Sequence, residues 1–384
     1  GHIEISVCRT TLSHAIAVCF ASYNLACHSL QLVVYLCVIR AYCSNINRER
    51  KVINESCFYG KDRGLEVLRL KKTSDPSIGN PGEILARIKA AAVNPIDAKQ
   101  RKRGTVFKAE PPLILGCDCA GVVQETGSGV KKFRVGEEVF FMHGGIGREP
   151  GTYAECMVID ERFAARKPEG ASFEEAGAAP LPFITAWESL FERGGLEEGQ
   201  TVLIHGGAGG VGHIAVQLAA QKGTRVCTTV SNQEKKDFVT GLGAERAILY
   251  KDEEFVEAVL DWTDGKGVDL ALEMVGGETF FKTFSCVKMY GRLVTLLAPK
   301  GESWGEARMR NISLGFTVVL SPMFYGISDL KEHHAALLET CAKMMDNGTL
   351  RIHVSRTFPL EKAAEAHRVV EEGHTKGKIV LTVE

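Results

Sequence analysis

The segment Thr201 to Ala220, TVLIHGGAGGVGHIAVQLAA, constrains the fold most: an apolar strand-like run enters a glycine turn and leaves it as a helix. Val211, Ile214, Ala215, Leu218 and Ala219 recur at helical spacing and mark a buried face. Such an order suits a dinucleotide. Glycines let the backbone turn tightly and approach a pyrophosphate with no Cβ in the way, and the free N–H groups at a helix start attract its charge. Gly206, Gly207, Ala208, Gly209, Gly210, Val211 and Gly212 are therefore the expected phosphate cradle. Glycines alone would mark only a turn; the second strand-like run one unit later, TRVCTTVS, makes the pattern a cofactor fingerprint.

The end of that second run bears on which cofactor is held. An acid there would bind the ribose 2′-hydroxyl and repel a 2′-phosphate. The positions instead carry Ser231 and Asn232, with Lys235 a few residues on. A hydroxyl and an ammonium suit a phosphate, so NADPH is expected over NADH. Taken alone, Lys235 reads as a solvated helix residue.

Around the loop the pattern changes character. After Ala171 a helix at Phe183 to Glu192, the strand TVLIH, a helix to Ala220, the strand TRVCTTV and a helix near Glu234 to Leu242 alternate, which implies a parallel sheet covered by helices. Before it, EILARIKAAAV alternates like a half-buried strand, and GCDCAGVVQETG, VGEEVFF and GTYAECMVI add short strands between glycine turns, with no long helix. A length of 384 residues accommodates two domains. With 46 basic and 47 acidic residues the net charge is -1, which gives no field to hold nucleic acid. The 12 cysteines include no C-x-x-C pair and read as free thiols in a reducing, cytoplasmic setting. Residues 1–50 form a leader of uncertain origin. Thr11 to Ile39 carry no charge, but polar residues dilute the apolar run at Leu30 to Ile39, and the first methionine is Met142. The leader reads as a nonessential extension, with membrane contact only if it acts as an anchor.

On AAAVNPIDAKQRKRG, PPLILGCDCAGVV, VGEEVF, GTYAEC, LPFITAWESL, the glycine loop, LGAERAILY, GVDLALEMVGG and HTKGKIVL, the chain from about Lys51 resembles the medium-chain dehydrogenase/reductase superfamily. Within it the likeness is to the zinc-lacking quinone oxidoreductase (zeta-crystallin-like) branch. The resemblance implies an α/β fold in which a GroES-like β domain (51–175 and 322–384) joins a Rossmann domain with a doubly wound parallel sheet (176–321). It also implies a cleft for the nicotinamide between them, and a homodimer. It places Asn94 and Asp97 in the active-site loop, Thr185 beside the nicotinamide, Ser231, Lys235 and Tyr250 around the 2′-phosphate, and Gly377 and Lys378 against the cofactor. On their own, Asn94 and Asp97 equally suit loop capping, and Tyr250 suits a core aromatic.

Zinc-dependent relatives carry a cysteine where this chain has Val93 or Asn94, and Gly-His-Glu where it has Gly116-Cys117-Asp118; their third ligand position falls in Leu181 to Ile184. Catalytic zinc takes three protein ligands, so none is expected. Cys117 and Cys119, two apart, read as small buried thiols on one strand face. Without a metal the acceptor must already be electrophilic, a quinone or an α,β-unsaturated carbonyl, with Asn94 hydrogen-bonding the developing oxygen charge. Some reductases of the superfamily place a tyrosine shortly after this loop. Its absence from Gly104-Thr105-Val106-Phe107 leaves solvent as the proton source and counts against an enoyl thioester reductase. A non-catalytic NADPH-binding redox sensor or structural protein is the alternative from another class. His143 is within reach of the cleft but reads first as a loop histidine with no catalytic part, and Met323, Phe324 and Tyr325 are expected to line the acceptor pocket.

Overall fold

Two large sheets of opposite kind and a small three-stranded one share the chain, described in this computed structural model for residues 54–59, 64–74, 76–107, 113–301 and 303–384. The leader, with the question of an anchor in it, lies outside the described residues. The first part supplies β1 (Asn54–Tyr59), β2 (Arg69–Thr73), β3 (Glu83–Val93), β4 (Leu113–Ile114), β5 (Asp118–Thr126), β6 (Glu138–Met142), β7 (Cys156–Asp160) and β8 (Ala164–Arg166). Then β9 (Thr201–Ile204), β10 (Arg225–Val230), β11 (Arg246–Leu249), β12 (Val268–Glu273), β13 (Val287–Thr295) and β14 (Ser313–Phe316) alternate with helices, and β15 (Val354–Pro359) and β16 (Lys378–Thr382) close the chain.

The mixed sheet runs β15-β16-β3-β5-β6-β8, with β7 on β3. Its centre is β3, which is not half-buried as its sequence suggested. Ala90 and Ala92 face one core while Ala91 and Val93 face the other, so both sides are covered. The C-terminal strand β16 pairs antiparallel with β3, Ile379 opposite Val93, and this register sets Lys378 beside Asn94.

The other sheet runs β11-β10-β9-β12-β13-β14. All its pairings are parallel. This is the doubly wound order, and a crevice opens at the ends of its strands where the order reverses, beside β9. The glycine turn leaves β9 at that point and feeds the Gly212–Gln221 helix, whose apolar face, including Ile214, Ala215 and Leu218, is buried. The turn works only with glycine at its tightest places. Gly206 has φ +66°, and a Cβ on Gly212 would lie 2.2 Å from the Gly206 carbonyl oxygen.

Local structure departs from the sequence reading in three further places. The β-rich part does hold a helix, Pro95–Arg103, begun by Asn94 in an extended conformation with proline at the first position. The helix expected at Phe183 to Glu192 starts earlier, at Pro180, and widens into a π-helical turn over Glu188–Arg193. Cys117 and Cys119 do not share a face: the first joins the core with Phe140 and Met142, the second the core with Phe141 and Tyr153. No helix among the described residues is long and apolar enough to cross a membrane.

Gly212→Ala is expected to destabilise the protein by about 2 kcal/mol, read as a lower midpoint in thermal unfolding. Gly241→Ala, at a helical position where an added Cβ meets nothing within 4 Å, should be neutral or stabilising by up to about 1 kcal/mol.

Candidate functional site

A cleft of about 540 Å³ lies against the glycine turn. The mixed-sheet side contributes Asn94, Ile96, Lys99, Gly377 and Lys378, and the helix Pro180–Trp187 contributes Leu181, Pro182 and Thr185. The parallel-sheet side contributes Gly206, Ala208, Gly209, Gly210, Val211, Gly212, Ser231, Lys235, Tyr250, Leu297, Thr317 and Leu320. Thirteen of the fifteen residues singled out in the sequence thus meet in one concave place. Asp97 and Gly207 do not line it. A Cβ on Gly207 would lie 2.0 Å from Thr228 Oγ1, so this glycine serves the packing of the turn on β10.

One end of the cleft is polar in a phosphate-friendly way. The Lys235 amide donates to Asn232 Oδ1 at 2.9 Å, so Asn232 caps the following helix and fixes where the lysine starts. Burial lowers the Lys235 pKa, as does the charge of Lys251, a neighbour that the sequence reading passed over. Tyr250 is half exposed at the end of β11, not in the core. Two histidines flank the turn. His205 is held between Thr229 Oγ1 at 3.2 Å and Thr283 Oγ1 at 2.9 Å, and His213 contacts the Gly209 carbonyl at 2.9 Å. Burial pushes both down to about 4, so they stay neutral.

The other end is organised by a buried ion pair. Lys378, whose ammonium is nearly inaccessible, lies 3.7 Å from Asp118 Oδ2 and donates to Asn94 Oδ1. Asn94 Nδ2 in turn donates to Asp118 Oδ2 at 2.9 Å, and the Leu181 amide donates to Asp118 Oδ1 at 2.8 Å. Burial raises Asp118 to about 6 against the pull of Lys378. Asp97 acts behind this group: it accepts from the Asn94 amide at 2.8 Å and from the Tyr153 hydroxyl at 3.0 Å. Full burial raises Asp97 to about 7. It is a positioning residue, the cap that holds Asn94. Asp118 was missed as a functional residue because the sequence marked it only as a lost metal position.

Thr185 donates its hydroxyl to the Leu181 carbonyl at 2.7 Å, which leaves its lone pairs free to accept. Thr317 Oγ1 is buried in the same cleft with no partner among the described residues, a second feature not foreseen. His143 does not line the cleft; it faces another cavity and sits 3.1 Å from Glu149. Nor do Met323, Phe324 and Tyr325 line it. Phe324 stacks on Phe107 at 4.6 Å, and Tyr325 is exposed.

The donors at the former metal position do not fit zinc. Both Asp118 oxygens are engaged, Lys378 holds a positive charge there, and burial together with Asp97 and Asp118 pushes the Cys117 thiol up, away from the thiolate that a metal needs. No group of three or more His, Cys, Asp or Glu among the described residues is placed to hold a metal ion.

Two families match this chain: the alcohol dehydrogenase GroES-like domain over residues 80–169 and the zinc-binding dehydrogenase over residues 242–381. A quinone oxidoreductase of Pseudomonas aeruginosa is 32% identical over 322 residues, covering 83% of this chain and 96% of that protein. A segment of a reducing polyketide synthase of Cochliobolus heterostrophus, 10% of its length, is 32% identical over 69% of this chain. The solved structure of Escherichia coli quinone oxidoreductase complexed with NADPH superposes with a TM-score of 0.75 at 26% identity, covering 85% of this chain and 99% of that one.

Removing the ammonium tests the buried pair. Lys378→Met should cost about 3 kcal/mol near pH 8, where Asp118 is left ionised and unpaired. Without the lysine the Asp118 pKa rises further above its unfolded value, so stability is present in acid and lost as pH rises through the folded pKa. Chemical denaturation should show that slope between pH 5 and 8 in Lys378→Met, and a shallower one when Asp118→Asn is added, the remainder coming from Asp97, which is raised to about 7.

Proposed function

Because the chain belongs to the medium-chain dehydrogenase/reductase superfamily, in its quinone oxidoreductase branch, and is an oxidoreductase, we propose that it reduces quinones or α,β-unsaturated carbonyls with NADPH and without zinc. The observation that carries this reading is the placement of Ser231, Lys235 and Tyr250 at one end of the cleft, with Asn94 and Thr185 lining it too. Bound reduced nicotinamide supplies the hydride.

The protein's own part is to bind, orient and keep water out. The N–H groups at the start of the Gly212–Gln221 helix and the glycine turn cradle the pyrophosphate, and neutral His205 and His213 leave that field to the backbone. Ser231, Lys235 and Lys251 take the 2′-phosphate, and the Tyr250 ring packs beside it. Thr185 accepts from, and Thr317 hydrogen-bonds to, the carboxamide. Gly377 keeps the C-terminal strand close to the loop, its amide donating to the Ala208 carbonyl at 2.8 Å. Asn94 uses one of its two amide hydrogens on Asp118; the second is free for the oxygen on which charge develops as the acceptor is reduced. With no tyrosine in Gly104-Thr105-Val106-Phe107, the proton comes from solvent.

Reduction of an enoyl thioester is the second reading, favoured by the likeness to a polyketide synthase segment and opposed by the missing hydroxyl. A homodimer is part of the proposal: β14 is an edge strand, and Leu314, Phe316 and Val318 on and beside it are exposed, an apolar border suited to a second copy. The six cysteines from Cys117 onward are free and buried, in keeping with a cytoplasmic setting.

Lys235→Ala should raise the Kd for NADPH about tenfold, a charge-assisted hydrogen bond's worth, and leave that for NADH within about twofold. Nicotinamide fluorescence titration measures both, and equal losses would remove the phosphate assignment.

A further inference from the structure

The cleft carries three charged side chains, Lys99, Lys235 and Lys378, and no aspartate or glutamate among its described lining residues. Two of the three are accounted for. Lys378 is consumed by Asp118 and Asn94 inside the fold. Lys235 stands with Ser231 and Tyr250 where the 2′-phosphate belongs. Lys99 is exposed and makes no ion pair or side-chain hydrogen bond among the described residues. The neighbouring carboxylate, Glu371, is already neutralised by Arg101 and by Lys102 at 2.9 Å. Nothing described therefore quenches the Lys99 charge.

Its position is set by the helix that Asn94 caps. Pro95, Ile96 and Lys99 fall on one face at helical spacing, and all three line the cleft. Lys99 follows Asn94 by little more than one turn, so its arm starts beside the group assigned to the reacting oxygen. A neutral apolar acceptor at this end gives the solvated ammonium nothing to bind. An acceptor that carries its own anion gives it a charge-assisted hydrogen bond.

We propose that Lys99 selects acceptors bearing a carboxylate, so that the substrate class is an enone or enal acid rather than a neutral quinone. This rests on the reductase reading above. Asn94 then holds the conjugated carbonyl and Lys99 the carboxylate.

The matched probes are 4-oxopent-2-enoate and its methyl ester as acceptors, and their saturated counterparts, 4-oxopentanoate and methyl 4-oxopentanoate, as non-reacting ligands of the NADP⁺-loaded protein. The wild type should favour the acid over the ester by about tenfold in kcat/KM and in affinity for the saturated pair. Lys99→Ala should abolish that preference through KM, with the ester and NADPH constants unchanged, and Lys99→Arg should restore most of it. Equal use of acid and ester by the wild type overturns the proposal. So does a Lys99→Ala variant whose loss falls on NADPH, which would assign the lysine to the cofactor. If neither acceptor is reduced, nor any member of a panel of quinones and other enones, the reductase reading fails, while the saturated pair still decides whether Lys99 recognises a carboxylate.

Discussion

A buried ammonium has to find a carboxylate, and Lys378 finds Asp118 in the middle of the molecule. That pair ties four pieces of chain together. It lies where β16 meets β3 and at the start of β5. Through Asp118 it holds the Leu181 amide, and so the first turn of the helix that carries Thr185. Its aliphatic stem also passes under the glycine turn, since a Cβ on Gly210 would sit 3.0 Å from Lys378 Cδ. Asn94 is clamped between the two charges and capped from behind by Asp97. The Asn94 end of the cleft is therefore fixed by the same contacts that hold the C-terminal strand in place.

The opposite end works by leaving charge out. His205 and His213, both at the turn, are kept neutral by burial, so attraction for a phosphate comes from backbone N–H groups and from lysines at the rim. Both histidines have folded pKa values depressed below the unfolded one. The stability they contribute is present above about 6.5 and fades as pH falls through about 4.

What the sequence made legible is what is local. The strand, glycine turn and helix from Thr201 to Ala220 are contiguous, and the parallel pairing of the strands follows from the alternation around them. What it hid is set by distance or by burial on two sides. Asp118 and Lys378 are far apart in the chain, and only the register of β16 on β3 joins them. The helix Pro95–Arg103 is almost wholly polar and shows no apolar stripe, so its sequence, PIDAKQRKR, carried no helical period. Its start signal, Asn94-Pro95 with Asp97 three residues on, was visible, and both readings given to it meet in the structure: Asn94 lines the cleft, and Asp97 caps it. The alanines of β3 disguised a strand covered on both faces as a half-exposed one.

The central claim is that this cleft passes hydride from NADPH to an electrophilic acceptor with no metal taking part. The most direct measurement is the loss of reduced-nicotinamide absorbance with a panel of quinones and enones, on protein dialysed against a strong zinc chelator and shown to be metal-free by elemental analysis. The account predicts turnover with at least one acceptor, unchanged by chelation and not increased by added zinc. Activity that vanishes on chelation and returns with zinc would contradict it.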